Sequence, residues 1–212
     1  MKILDIHTHH PAPQPCGVVS LRLKSDETPE LMPGQCYSIG IHPWDTTAEP
    51  QLQLWHNLEK IAANPQVVAI GESGLDLTPR GGLLFRQIQI FKRHIEISEQ
   101  LSKPLVIHAV KADEVLLGLH KELKPKQPWI IHGFRRKPTV ATQLLRSGFY
   151  LSIGPEFNPE SVKMIPAERI FAETDDSPLS IDAIIEKIAS VREVETETLR
   201  QQLSHNFEAI RK

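Results

Sequence analysis

Short apolar runs recur along the chain, and most of them are rich in valine and isoleucine. The runs show no regular alternation with polar residues, which is typical of strands that are covered on both faces of a sheet. Eight such runs predict eight strands, at residues 3–6, 18–23, 36–41, 67–71, 104–108, 129–132, 149–153 and 169–172.

Helical periodicity lies between several of these predicted strands. It is clearest at residues 84–101, where apolar positions are spaced by three and four and charged residues occupy the other side. Further helices are predicted at residues 50–61, 181–188 and 199–210. Strands that alternate with helices indicate a parallel α/β sheet. Eight strands favour a TIM-type (β/α)8 barrel, and a doubly wound open sheet is the alternative.

The chain is short for such a barrel. It has 212 residues, whereas about 250 is typical and about 200 is the lower end. Residues 10–35 are rich in proline and show no convincing helical pattern, so the first crossover is predicted to be reduced to a loop. We therefore expect a distorted and trimmed barrel. No linker or repeat divides the sequence, which predicts a single domain over residues 1–212.

Composition narrows the classes of function. The formal net charge of −2 gives no overall attraction to nucleic acid, so a polyanion would need a local patch or bound metal. Cys16 and Cys36 have no zinc-ribbon spacing and are expected to be free thiols. The sequence shows neither a signal-peptide pattern nor a run of about 18 apolar residues. We therefore expect a cytoplasmic protein with no membrane contact and no obligate protein partner.

Candidate chemistry begins at the first predicted strand. Side chains alternate along a strand, so His7 and His9 are expected to point to the same side. Two neighbouring imidazoles at the end of a buried strand are a suitable pair of ligands for one metal ion. A lone pair of this kind is a weak signal, because ordinary polar residues also leave strands.

Four more candidates stand at or shortly after the ends of other predicted strands, and in a barrel these strand ends converge on one face. Each has an ordinary explanation by itself: a buried histidine is often a satisfied core residue, and an aspartate often caps a helix. Coincidence across the whole set is improbable. The sequence therefore predicts one cavity lined by His7, His9, Glu72, His108, His132 and Asp175.

Four imidazoles and two carboxylates match the mixed nitrogen and oxygen ligands of zinc, manganese or iron. They exceed the needs of one four-coordinate ion, which favours two divalent metals about 3.5–4 Å apart with a bridging carboxylate. Glu72 is the expected bridge. Asp175 is expected to bind one metal and to orient or deprotonate the attacking water, so both residues are candidate catalytic groups.

Several motifs together resemble the TatD family of metal-dependent hydrolases, within the amidohydrolase-like barrels. They are Asp-Ile-His-Thr-His at 5–9, Gly-Ile-His-Pro at 40–43, Gly-Glu-Ser-Gly-Leu-Asp at 71–76, the single-histidine strands ending at 108 and 132, and Glu-Thr-Asp at 173–175. The resemblance implies two divalent metal ions (Mg, Mn or Zn) and a deoxyribonuclease-like activity that cleaves phosphodiester bonds.

The resemblance also implies a division of the ligands. His7 and His9 would hold one metal with Glu72 and Asp175, and His108 and His132 would hold the second metal with Glu72. The sequence departs from the family after His108, where Ala-Val-Lys replaces the usual small polar residue and arginine, and in a nearly absent loop after Asp175. DNA or nucleotides remain the leading substrates on the resemblance. Because of these departures, two alternatives stay open: an enzyme that hydrolyses C–N or carboxylic ester bonds, and a non-catalytic protein that has kept the barrel.

A basic run follows His132 closely, at residues 135–137, and Arg135 is its candidate for contact with a substrate phosphate. A solvated charge run is the alternative. His42 is a candidate to contact a substrate oxygen, and a packing role is equally compatible with its position. Asp5 and Asp76 are candidates to orient the ligand imidazoles.

Overall fold

The computed structural model describes residues 2–11, 16–24 and 28–211. Eight parallel strands hydrogen-bond in chain order, and pairing of the first with the last closes the barrel. The TIM-type architecture is thereby confirmed over the open sheet. The strands are β1 (Asp5–Thr8), β2 (Gly17–Arg22), β3 (Cys36–Gly40), β4 (Val67–Asp76), β5 (Leu105–Val110), β6 (Trp129–Ile131), β7 (Tyr150–Ile153) and β8 (Ile170–Ala172).

Helices cover the outside of the barrel from β3 onwards, and two of them follow β8. They are α1 (Leu52–Ala62), α2 (Leu84–Leu101), α3 (Asp113–Leu123), α4 (Pro138–Arg146), α5 (Pro159–Met164), α6 (Ile181–Arg192) and α7 (Thr196–Ile210). Short 3-10 helices lie at Pro43–Asp45, Pro79–Gly81 and Ala167–Arg169. No helix in the described parts of the chain is both long and apolar enough to cross a membrane.

The trimming of the barrel extends beyond the first crossover. Neither the connection from β1 to β2 nor that from β2 to β3 contains a helix among its described residues. Prolines in these connections remove backbone donors and fix φ, which disfavours a helix interior. Residues 12–15 and 25–27 lie outside the described residues, so the predicted loop stays a prediction there.

Helices α3, α4 and α5 were not among those predicted from the sequence, and two of them, α3 and α5, show too little pattern to be predicted. Helix α3 buries only Leu116 and Leu119, so the apolar stripe that marks an amphipathic helix is short. Helix α5 has six residues, which is less than two turns of an α-helix. Their places are decided by the strands that they connect.

The interior of the barrel changes character along its axis. One buried apolar cluster contains Val106, Ile130 and Phe171, from three different strands. Because side chains alternate along a strand, the residues two positions further on share the interior side. These are His108, His132 and Glu173. The carboxyl ends of the strands therefore bring polar side chains together above an apolar floor.

A buried histidine joins α2 to the segment that leaves β3. His94 is fully buried. Its Nε2 accepts a hydrogen bond from the backbone N–H of Ile41 at 2.9 Å, and its Nδ1 donates to the carbonyl of Ile90 at 2.8 Å. Burial lowers the pKa of His94 from 6.5 to about 4. The neutral ring is the form that the fold requires.

We expect acid to destabilise the protein through His94. Between pH 6.5 and pH 4 the unfolded chain takes up a proton at this residue that the native protein excludes, so stability falls as the pH falls through that window. The expected loss is about 3 kcal/mol. His94→Gln, which keeps a donor and an acceptor, should remove this part of the pH dependence. Urea unfolding at pH 7 and pH 4.5 measures it, and parallel pH profiles for both proteins would contradict the assignment.

Candidate metal centre

The first strand and the segment after the last strand form one side of the site. His7 lies within β1 and His9 directly follows it. The N–H of Asp175 donates to the carbonyl of His7 at 3.0 Å, and the N–H of His9 donates to the carbonyl of Asp175 at 3.2 Å. These bonds hold the Asp175 carboxylate beside both rings, with Oδ1 at 3.5 Å from Nε2 of His7 and 3.4 Å from Nε2 of His9.

Glu72 lies between two groups of imidazoles. Its Oε2 faces the first group, at 3.5 Å from Nε2 of His7 and 3.8 Å from Nε2 of His9. Its Oε1 faces the second group, at 2.6 Å from Nδ1 of His108 and 2.8 Å from Nε2 of His132. The six side chains expected to meet therefore lie in one cluster, and the carboxylate of Glu72 joins its two halves.

His42 is a further member of the second group. It is buried, and its Nε2 lies 3.1 Å from Oε1 of Glu72. Its Nδ1 accepts a hydrogen bond from the backbone N–H of Trp44 at 3.1 Å, at the start of the 3-10 helix Pro43–Asp45. This arrangement favours contact with Glu72 over contact with a substrate oxygen, which stays a prediction.

The position of Glu72 in its strand differs from the expectation. We expected it to follow the strand, but β4 continues to Asp76 and Glu72 lies inside it. The pairing of β4 with β5 shifts its register between Ile70 and Ser73. Gly71, in this interval, has φ +130°, and a Cβ there would lie 2.2 Å from the carbonyl oxygen of Val106. The irregularity carries Glu72 towards the centre of the cavity and requires glycine beside it.

Gly71→Ala should therefore destabilise the fold by about 3 kcal/mol or more, because strained backbone and a steric clash add. Urea unfolding measures the change in the free energy of unfolding. Gly118→Ala is the matched control, since Gly118 lies in α3 with open space around its Cβ position. That change should stabilise by about 0.5–1 kcal/mol. Equal effects at both positions would refute the role given to Gly71.

The electrostatics of the cluster favour positive charge between its carboxylates. Burial by itself raises the pKa of Glu72, but the charge of His132 and hydrogen bonds from the imidazoles outweigh it and hold that pKa well below the usual value. Burial likewise opposes the charged form of His132, yet Glu72 and Glu173 raise its pKa well above 6.5. The pKa of Asp175 is lowered, because its interactions with the nearby His7 ring and with the charge of His132 outweigh burial.

The donor set fits divalent metal ions. The ring of His7 is fully buried, and neither of its nitrogens has a hydrogen bond of normal geometry to any described residue. Leaving such atoms unpaired costs about 1–3 kcal/mol each, which a metal ligand bond offsets. Ligand atoms within 4.8 Å of one another occur in sets that overlap at Glu72 and His7. These sets are His7, His9 and Glu72; His42, Glu72 and His108; His7, His132 and Asp175; and His9, Asp175 and Asp176.

The two carboxylates that we expected to orient the ligand imidazoles make different contacts. Asp76 lies 3.4 Å from Nε2 of His108 and accepts a hydrogen bond from Trp44 Nε1 at 2.6 Å, so it contacts a ligand ring as expected. Among the described residues, no imidazole forms a hydrogen bond or ion pair with the carboxylate of Asp5. That carboxylate accepts from the backbone N–H of His7 at 3.3 Å and from the hydroxyl of Thr174 at 2.7 Å. The expectation for Asp5 was wrong, because its side chain ties β1 to the segment after β8.

Glu173 is a functional candidate that the sequence reasoning missed. It is fully buried, and its Oε1 accepts a hydrogen bond from the backbone N–H of Gly133 at 2.5 Å. The same oxygen lies 3.4 Å from Nδ1 of His132. The available signal was alternation, since Glu173 stands two residues after the interior Phe171 and two before Asp175.

A cavity of about 450 Å³ opens beside the cluster. His108, His132 and Asp175 line one end of it, and Arg135 is exposed on its wall, 3.0 Å from Glu156. Arg136 is directed elsewhere: its Nε lies 2.9 Å from Asp113 in α3 and its guanidinium also bonds the carbonyl of Ala109. Within the basic run, Arg135 is therefore exposed to solvent, whereas Arg136 is engaged by other protein groups and is not available to a phosphate. Substrate contact by Arg135 stays a prediction.

Comparison with known proteins identifies the family. The family model described as TatD related DNase matches residues 23–212. The chain belongs to the TatD family of metal-dependent hydrolases. The metal-dependent hydrolase YcfH of Escherichia coli K12 is 28% identical over 192 residues, covering 81% of this chain and 71% of YcfH. A metal-dependent hydrolase of Buchnera aphidicola from Baizongia pistaciae is 34% identical over 151 residues, covering 68% of this chain and 56% of its own length.

Solved structures of TatD proteins share the fold. The TatD homologue YjjV of Escherichia coli superposes with a TM-score of 0.84, covering 99% of this chain and 97% of that chain at 17% identity. A TatD family hydrolase of Entamoeba histolytica gives a TM-score of 0.70 at 19% identity, covering 84% and 75% of the two chains. These two likenesses concern the barrel, and the assignment as a metal-dependent hydrolase rests on the family match and the sequence relatives.

Proposed function

We propose that this TatD family member uses two divalent metal ions to hydrolyse phosphodiester bonds of DNA or nucleotides. The observation that carries the proposal is the single carboxylate of Glu72 between two groups of imidazoles. His7, His9 and Asp175 would hold one ion with Glu72, and His108 and His132 would hold the other with Glu72. Mg, Mn and Zn are the candidate metals.

Divalent ions held there supply Lewis acidity to the phosphoryl group and lower the pKa of a bound water from about 15.7 towards about 7. The residues of the chain supply the rest. Of the two carboxylates among the six predicted ligands, Asp175 is the more exposed, with 38% of its side chain accessible against 6% for Glu72, and it lines the cavity. Its lowered pKa keeps it ionised at neutral pH. It is therefore placed to orient the attacking water and to accept its proton.

Other side chains position these groups. Asp76 and Glu173 contact the outward nitrogens of His108 and His132, and such contacts fix ring orientation in metal sites. His42 holds the Oε1 side of Glu72. Arg135 would leave its surface pair with Glu156 to contact a substrate phosphate, because both side chains are exposed and such pairs are weak.

Two features support a nucleic acid or nucleotide substrate. The matching family model is described as a DNase, and the basic side chain of Arg135 lines the cavity next to the cluster. The net charge of −2 gives no general attraction to a polyanion, so the attraction must be local. The proposed substrate is therefore recognised at the cavity.

The proposal is tested by loading the purified protein with Mg²⁺, Mn²⁺ or Zn²⁺ and offering single-stranded DNA, duplex DNA, dinucleotides and a panel of cyclic amides. Elemental analysis of the same samples counts the bound ions. We expect metal-dependent cleavage of a phosphodiester and two ions per chain. Cleavage of the amides alone, or of none of the substrates with any metal, would overturn the proposal.

Two further proposals concern the cellular location and the domain organisation. Cys16 and Cys36 are both free, which supports a reducing compartment and hence a cytoplasmic location. The proposed single domain is supported by α7, whose Phe207 and Ile210 belong to the same apolar cluster as the barrel interior.

A further inference from the structure

The cavity beside the candidate metal centre is lined in part by residues that the proposed chemistry does not use. Its volume of about 450 Å³ is within the usual range of small-ligand sites, about 300–1,000 Å³. That is more space than the reacting phosphoryl group requires. Three cations are among the lining residues of the cavity, Lys111, Arg135 and Arg136.

These three cations differ in availability. Arg136 is only 18% exposed, is paired with Asp113, and also bonds the backbone. Arg135 is paired with Glu156. Lys111 is exposed, and no carboxylate or carbonyl among the described residues pairs with its ammonium group. It is therefore the cavity cation that can bind an anion without breaking an existing contact.

The backbone places Lys111 at the site. The residue directly follows β5, three positions after His108, in a left-handed conformation with φ 55°. Helix α3 begins two residues later at Asp113, which holds Arg136. The strand that carries His108 thus also carries this cation, at the edge of the same cavity.

We propose that Lys111 binds a second phosphate group of the substrate, next to the one that is cleaved. The inference rests on the proposed phosphodiester activity. An ammonium donates strong charge-assisted hydrogen bonds to phosphate oxygens, and its three N–H groups allow these bonds over a range of directions. The protein would therefore prefer a substrate with two neighbouring phosphates over one that contains only the scissile phosphodiester.

Three dinucleotides test this proposal: TpT, pTpT with a 5′-phosphate, and TpTp with a 3′-phosphate. Each has one scissile phosphodiester, and the last two have an additional phosphate on one side or the other. We expect the native protein to show a KM about tenfold lower for one phosphorylated dinucleotide than for TpT, as for one hydrogen bond to a charged group. The preferred end reports on which side of the scissile bond Lys111 lies.

Lys111→Ala should abolish this preference and leave kcat and KM for TpT unchanged, whereas Lys111→Arg should keep most of it. Raising the salt concentration should weaken the preference, because it screens an exposed ion pair. A structural role for Lys111 would instead alter TpT hydrolysis as well.

Lys124→Ala is the matched control. Lys124 is also exposed and left-handed, with φ 47°, but it ends α3 and does not line the cavity. The two substitutions therefore remove the same charge at the same kind of backbone position, and Lys124→Ala should keep the preference. Equal KM values for all three dinucleotides, or a preference that survives in Lys111→Ala, would overturn the inference while TpT is still cleaved. Hydrolysis of none of the dinucleotides would overturn this inference, and failure to cleave DNA as well would overturn the proposed function.

Discussion

Asp175→Asn should lower kcat by about 10³-fold, within the range for loss of a positioned general base. The side chain changes little in shape, and the bonds that hold residue 175 to His7 and His9 come from the backbone. The fold should therefore persist. The substitution removes the ionised carboxylate that lies 3.4 Å from His9 and faces the cavity. Single-turnover hydrolysis measures the effect, and circular dichroism checks the fold.

Asp176→Asn is the control for this prediction. Asp176 is the next residue and is exposed, and it also belongs to a set of possible ligands with His9 and Asp175. We expect kcat to change by less than about threefold, because an exposed charge is screened by solvent. A larger loss in Asp176→Asn than in Asp175→Asn would move the role of base to the neighbouring residue.

Glu72→Gln should remove both metal binding and activity. Each carboxylate oxygen faces its own group of imidazoles, whereas an amide presents an acceptor to one group and a donor to the other. Elemental analysis should find fewer than two ions per chain. We expect kcat to fall by at least about 10²–10³-fold, the scale for loss of one preorganised electrostatic group.

Glu173→Gln is the control for this prediction. It distinguishes the loss of the bridging carboxylate of Glu72 from the loss of a buried carboxylate in general. Glu173 is also buried and lies 3.4 Å from Nδ1 of His132, but it is on the outer side of that ring. Its substitution should lower metal affinity or activity by about 10–100-fold, as for other groups that orient a metal ligand. If Glu72→Gln retained two ions per chain, the assignment of Glu72 as the bridge would be wrong.

Much of the barrel could be predicted because its signals are local. Parallel strands covered on both faces read as continuous apolar runs, and the residues that follow them occupy one face of a closed barrel. His132 directly after β6 and Asp175 shortly after β8 were placed in this way. Alternation within a strand was enough to put His7 and His9 on one side.

Other features depend on atoms that are distant in the sequence. The apolar run before Glu72 ends at Gly71, so the strand was expected to end there. Its continuation depends on the pairing of Ser73–Asp76 with β5. Helix α3 shows only a short apolar stripe, and therefore neither the helix nor the pairing of its Asp113 with Arg136 could be anticipated.

The sequence by itself determined the strand order, the closed barrel as the leading architecture, and the six side chains that meet at its carboxyl end, because alternation and strand ends are properties of consecutive residues. Only the tertiary structure decided which oxygen of Glu72 faces which imidazoles, that His42 and Glu173 join the cluster, that Asp5 does not, and that Lys111 remains available on the cavity wall. Those outcomes depend on distances across the barrel between residues far apart in the chain, which no local pattern specifies.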